Sequence, residues 1–163
     1  KERLGKFNLE LEESKSRLIG FGRYAESNSR RRYGKKLETF DFLGFTFYCG
    51  KGRKSGNFCV KLKTSRKKYA QKLKATKEWL YANNDLPVKE LVEKLNKKLV
   101  GHYRYYGVSY NGKKLGSFLH FTQRYLCKAL NRRSQKKSYT WDGFAGMLKV
   151  YPLAKPKIYV RLF

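Results

Sequence analysis

The sequence predicts an α+β fold, a β-hairpin and strand unit followed by a basic α-helical bundle. Three observations carry that reading. Aromatic and β-branched residues crowd into short runs before residue 63, the glycine-rich segment CGKGRKSG (49–56) separates two of those runs, and beyond residue 63 the apolar spacing changes to threes and fours.

Among the short runs, Lys15 to Arg23 (KSRLIGFGR) and Leu37 to Tyr48 (LETFDFLGFTFY) read as strands. In the second, Phe40, Phe42, Gly44, Thr46 and Tyr48 share one face, and Leu43, Phe45 and Phe47 share the other. CGKGRKSG then reads as a hairpin loop leading to a return strand over 57–63. After it, Tyr69, Leu73, Thr76 and Leu80 form one helical stripe, with Lys67, Lys68, Lys72, Lys74 and Lys77 around the rest and a break at Asn83, Asn84 and Asp85. Pro87 suits the first turn of a second helix. There Val88, Leu91, Val92, Leu95 and Leu99 form the stripe, Lys89, Lys94, Lys97 and Lys98 face outward, and Gly107 is the stop. A third helix runs from about Leu115 to Arg132, and a short fourth starts at Thr140, whose hydroxyl is a natural cap. The last segment, YPLAKPKIYVRLF, holds two prolines and reads as an extended tail laid over the bundle. Two domains follow, 1–63 and 64–163.

Charge bounds the function. Lys and Arg number 39 against 12 Asp and Glu, a formal +27 on 163 residues, which opposes compaction unless a polyanion screens it. With 40% hydrophobic and 16% aromatic residues the chain is rich enough to fold, unlike a disordered basic tail. Eleven basic residues and no acid lie between Asp41 and Glu78, and sixteen lie from Lys94 to Phe163 against Asp142 alone. A membrane partner is disfavoured, since no run of about 18 apolar residues and no signal-peptide pattern is present. Cys49, Cys59 and Cys127 lack CxxC spacing, and with His102 and His120 they assemble no zinc site.

Catalytic patterns are missing as well. Two-metal polymerases and nucleases gather carboxylates around divalent ions; here the acidic cluster Glu10, Glu12 and Glu13 alternates with Leu9 and Leu11 and reads as a solvated face. No GxSxG elbow occurs, and CGKGRKSG lacks phosphate-loop spacing. The binding candidates are basic and aromatic. SNSRRRYGKK (27–36), with Arg30, Arg31 and Arg32, is a phosphate clamp or a solvated linker. GHYRYYGVSY (101–110) sets four tyrosines around Arg104; Tyr105 and its neighbours suit base stacking, while about half must face the core. NRRSQKK (131–137), with Arg132, Arg133, Lys136 and Lys137, follows a helix end, where cations also complement the dipole. Lys67, Lys68, Lys97 and Lys98 complete the RNA-binding candidates.

The order of KFNLELEESKSRLIGFGR (6–23), FDFLGF (40–45), LNKKLVGHYRYYGVS (95–109), LNRRSQKKSYTW (130–141) and YPLAKPKI (151–158) resembles the carboxy-terminal part of group II intron reverse transcriptases. The resemblance implies a final palm segment, a primer-grip hairpin at Phe42, Leu43, Gly44 and Phe45, and a thumb or maturase domain. It implies Lys15 as a general acid toward pyrophosphate and Arg132 and Arg133 as the thumb's basic pair. Departures are His102 where tryptophan is common, Ser16 where threonine is, and Ala154 where proline is. The implied partners are group II intron RNA or other structured RNA, an RNA–DNA primer-template, and an upstream fingers and palm region, in a bacterial cytosol or an organelle. The YxDD aspartates would lie upstream of Lys1, so this stretch is expected to be inactive alone and to bind no cofactor, with Mg²⁺ belonging to the complete enzyme. Two rivals stand beside this reading: the thumb of a retron, diversity-generating or CRISPR-associated reverse transcriptase, and a ribosomal-type structural RNA-binding protein.

Overall fold

The computed structural model describes residues 2–16, 18–22, 24–27, 37–52, 56–133 and 139–162. Its elements are α1 (Glu2–Gly5), a 3-10 turn (Glu13–Lys15), β1 (Phe40–Phe42), β2 (Phe45–Lys51), β3 (Phe58–Thr64), α2 (Arg66–Ala82), α3 (Val88–Tyr106), α4 (Gly112–Asn131) and α5 (Trp141–Val150). The strands form a three-stranded sheet in the order β1-β2-β3, which with the helices that follow makes the fold α+β. Two compact units divide the chain, one of Lys1–Thr39 and Tyr48–Val60, the other of Phe40–Phe47 and Lys61–Phe163.

Two strand expectations need correction. Lys15 to Arg23 is not a strand: Lys15 closes the 3-10 turn and 18–22 have no regular structure. Leu18 is fully exposed, Gly22 sits at φ +103°, and its N–H donates to the Cys49 sulfur at 3.4 Å rather than into a strand ladder. Leu37 to Tyr48 is two strands rather than one. Leu43 and Gly44 both take positive φ, 48° and 79°, and reverse the chain so that Phe40 pairs Phe47, Asp41 pairs Thr46 and Phe42 pairs Phe45. Positive φ at both central residues is the geometry of a type I′ hairpin turn, which matches strand twist. Phe40 and Phe47, opposite each other, stack with ring centroids 4.8 Å apart.

β2 runs on through Lys51, so Cys49, Gly50 and Lys51 are strand rather than the expected loop, and of the connection beyond it Gly52 and Gly56 are described. Gly52 donates to Asn57 O at 2.7 Å, and Gly56 takes φ +64°. Glu10, Glu12 and Glu13 are exposed, and Glu12 is occupied by Ser14, whose hydroxyl donates to it at 2.6 Å.

The larger unit holds the main core, where Leu80, Leu91, Leu95, Leu99, Leu115, Leu126 and Leu130 are all essentially inaccessible. The four helices fall where apolar spacing puts them. Ser65 caps α2 by accepting from Lys68 N, and Thr140 caps α5 by accepting from Gly143 N. Gly107 ends α3 at an ordinary φ of −77°, so its need for glycine is one of space: a Cβ there would strike Tyr103 O and lie 2.6 Å from Lys157 O. That space admits the tail. Tyr159 and Val160 donate to Gly107 O at 2.7 and 3.0 Å, and Val160 forms a parallel bridge with Val108. Asn96 holds the tail's start, donating to Pro152 O at 2.9 Å and accepting from Ala154 N at 2.8 Å.

One buried amide ties these parts together. Asn111, with no exposed surface, accepts from Thr64 N at 2.9 Å and donates to Thr64 Oγ1 at 2.9 Å and to Tyr106 O at 2.8 Å. By contrast, the Tyr103 hydroxyl is buried without a hydrogen-bond partner among the described residues, and burial pushes its pKa upward. Opposite results are expected in urea unfolding. Asn111→Leu should cost on the order of 2–4 kcal/mol by stranding three buried polar groups, and Tyr103→Phe should be neutral or stabilising by up to about 1 kcal/mol.

Candidate nucleic-acid interface

The β1–β2 turn is carried by the helical unit. Ser65 N–H, one residue before α2, donates to Gly44 O at 2.9 Å, and the Tyr105 hydroxyl of α3 donates to Leu43 O at 2.9 Å. A Cβ on Gly44 would lie 3.0 Å from the Tyr106 hydroxyl, so both positive φ and close packing demand glycine there. Phe45 fixes the same corner, its ring centroid 5.2 Å from Tyr106 and 5.9 Å from Tyr105. The docked turn leaves Phe42, Leu43 and Tyr105 58%, 67% and 55% exposed. Three large apolar side chains held outward on fixed backbone point to a surface that contacts something.

From this turn a groove of about 770 Å³ runs between α2 and α3. Lys68, Gln71, Lys72, Ala75, Thr76 and Trp79 line it from α2; Lys98, Gly101, His102 and Tyr105 line it from α3. None of its lining residues is a carboxylate. Lys98 lies over the Trp79 ring, 4.9 Å from its centroid, and Lys68 reaches Gln71 Oε1 at 3.5 Å. On the groove wall His102 stacks on Phe118 with centroids 3.9 Å apart. Burial, helped by the charge of Lys72, lowers its pKa to about 4, so the ring is neutral at physiological pH.

The expected site residues separate on inspection. Phe42, Leu43, Gly44, Phe45, Lys68, Lys98 and Tyr105 gather at the turn and groove. Lys67, Lys97 and Arg104 are exposed on α2 and α3 but do not line the groove. Arg132 and Arg133 are exposed yet engaged within the chain: the Arg132 guanidinium lies 4.8 Å from the Tyr81 ring centroid, and Arg133 donates to Leu86 O at 2.8 Å. Lys15 ends the 3-10 turn. Arg30, Arg31, Arg32, Lys136 and Lys137 lie outside the described residues. Of the four tyrosines at 101–110, Tyr103 and Tyr106 are core and Tyr105 and Tyr110 are exposed. Sequence reading did not single out Lys72, Trp79 and His102 as site residues. Their signal was the α2 stripe and the imidazole standing in an aromatic run.

Among the described residues no group of three or more His, Cys, Asp or Glu side chains is placed to hold a metal ion. Cys49, Cys59 and Cys127 form no disulfide with one another. No helix among those residues is long and apolar enough to cross a membrane.

Fold and surface together define a basic helical domain with a hairpin turn packed at one end of an acid-free groove. Residues 66–144, spanning α2, α3, α4 and the start of α5, match the family described as group II intron, maturase-specific domain. The match fits the carboxy-terminal maturase or thumb region of a group II intron reverse transcriptase and gives the chain a maturase-type role, one connected with intron RNA and splicing. Searches of the curated proteins and of the solved structures returned no significant match.

His102 makes the domain's stability depend on pH. Between about 6.5 and about 4 the unfolded chain takes up a proton at this residue that the folded chain refuses, so stability falls as pH drops through that window. The loss from this residue should be on the order of 2 kcal/mol, after discounting for the solvent that still reaches the ring. Urea unfolding from pH 7 to pH 4 should show a shallower decline for His102→Phe than for the unaltered chain.

Proposed function

We propose that this chain binds group II intron RNA along the α2–α3 groove, with the Leu43–Gly44 turn at one end of the contact. The observation that carries the reading is the groove's lining: Lys68, Lys72 and Lys98 stand beside Trp79 and Tyr105 with no acid among them. Ammonium groups on both walls give a phosphate backbone two tracks to follow, and that contact is largely independent of sequence. Aromatic faces and the exposed turn add stacking or sugar contacts.

In a complete reverse transcriptase the same surface would hold an RNA–DNA primer-template, with Phe42, Leu43, Gly44 and Phe45 as the primer grip. The rigid hydrogen bonding of the turn to Ser65 and Tyr105 supports this, because a grip must place a strand end reproducibly. Lys15 as a general acid rests on the resemblance of its segment. The described residues bring no carboxylate set together for Mg²⁺, so no catalytic step is assigned to them. A retron-like or ribosomal origin is less favoured, since residues 66–144 match the maturase-specific family.

Binding of a structured intron RNA fragment should weaken by about a thousandfold between roughly 50 and 200 mM salt if six phosphates are contacted. Replacing Lys68, Lys72 and Lys98 together by Gln should lower the slope of log K against log salt by nearly three units, about 0.9 per lost contact. Lys89→Gln, on an exposed position of α3 away from the groove, serves as the comparison. An unchanged slope in the triple variant would place the RNA on another face.

A further inference from the structure

A second hollow, about 440 Å³, opens between α4 and α5, and the groove function does not use it. One wall is polar: His120, Gln123 and Arg124 stand at spacings of three and four on α4 and therefore share a face. The opposite wall comes from α5, whose Trp141, Phe144, Ala145 and Leu148 follow the same spacing. Phe144 is buried and forms the floor, whereas Trp141 is 62% exposed and meets Phe144 edge to face at 6.0 Å. Ala145, small and exposed, leaves the space beside the indole open.

We infer that this hollow takes a single unpaired nucleobase of a bound RNA strand, an inference that rests on the RNA-binding reading above. The exposed indole offers a flat face for stacking, which any base satisfies. The Gln123 amide and the His120 imidazole, both lining the hollow, supply donors and acceptors for a base edge, and Arg124 supplies a cation for the flanking phosphate. The occupant's charge is indicated by the surroundings. From Lys94 to the end of the chain sixteen basic residues face one acid, Asp142, so a polyanion is drawn to this face and a cationic peptide is not. An extruded base joins the two requirements, an aromatic plane beside a hydrogen-bonding edge, to a phosphate on the same nucleotide.

Two oligonucleotides of equal length and charge test this on the full chain: an unstructured twelve-nucleotide RNA, and an abasic strand with the same phosphates. Trp141→Ala should weaken binding of the base-bearing strand about tenfold, leave the abasic strand within about twofold, and keep the salt slope; Trp141→Phe should restore most of the loss. Arg124→Ala should instead lower the slope by about one unit for both strands. With 5-fluorotryptophan in place of the two tryptophans, Trp79 and Trp141, the fluorine resonance absent from Trp141→Phe should shift with the base-bearing strand and stay in place with the abasic one. Equal losses for both strands on Trp141→Ala, or no loss for either, would overturn the base pocket while salt-dependent binding kept the RNA reading intact. Absence of salt-dependent binding to either strand would overturn the RNA reading itself.

Discussion

The Asn111 side-chain amide is the interaction on which the rest of this structure depends. It takes the last residue of β3 through Thr64, the end of α3 through the Tyr106 carbonyl, and stands at the start of α4. Because Thr64 is followed at once by the α2 cap Ser65, fixing Thr64 also fixes where α2 begins. Ser65 in turn holds the carbonyl of Gly44. A single buried group therefore sets the relative placement of β3, α2, α3 and α4, and through them the turn that projects Leu43. Its own burial is tolerable because its carbonyl oxygen and amide hydrogens are used.

The second constraint is the charge. Among the described residues few carboxylates are placed to pair with lysine; Lys74 with Glu78 and Lys94 with Glu90 are exposed pairs within single helices and contribute little. Several cations rest on rings instead: Lys61 over Tyr110, Lys77 and Arg132 over Tyr81, Lys98 over Trp79, and Lys114 over Tyr69. A ring orients a cation without neutralising it. These lysines are thus held in place without losing their positive charge, which a set of salt bridges would not achieve.

The helices were legible because each buries a stripe, and burial at a period of 3.6 is written directly into the order of apolar residues. Thr140, Pro87 and Gly107 marked boundaries for local reasons that hold in isolation, although Gly107 is required by the approach of a distant tail rather than by its own φ. The strands were less legible. Residues 18–22 have strand-like composition but join no strand of the sheet, and a strand is stabilised only by its neighbours. FDFLGF read residue by residue as continuous, since Leu is a poor residue for positive φ; only the resemblance to a primer-grip hairpin suggested the reversal that Leu43 and Gly44 make. The site was half legible. Lys68, Lys98 and Tyr105 were named from charge and aromatic content, but their convergence with Lys72, Trp79 and His102 depends on how α2 meets α3, which no local pattern specifies. Asn111 was silent for the same reason, its three partners being 47 and 5 residues away in sequence.

The central claim is that the turn and the groove form one surface, already assembled in the free chain. Amide hydrogen exchange at Ser65, whose N–H is bound to Gly44 O, tests it most directly. In the free chain the Ser65 amide should exchange with an opening free energy within about 1 kcal/mol of that for Leu99 in the middle of α3, because both open only when the helical unit unfolds. A Ser65 amide that exchanges far faster, through local release of the turn while Leu99 stays protected, would contradict the account.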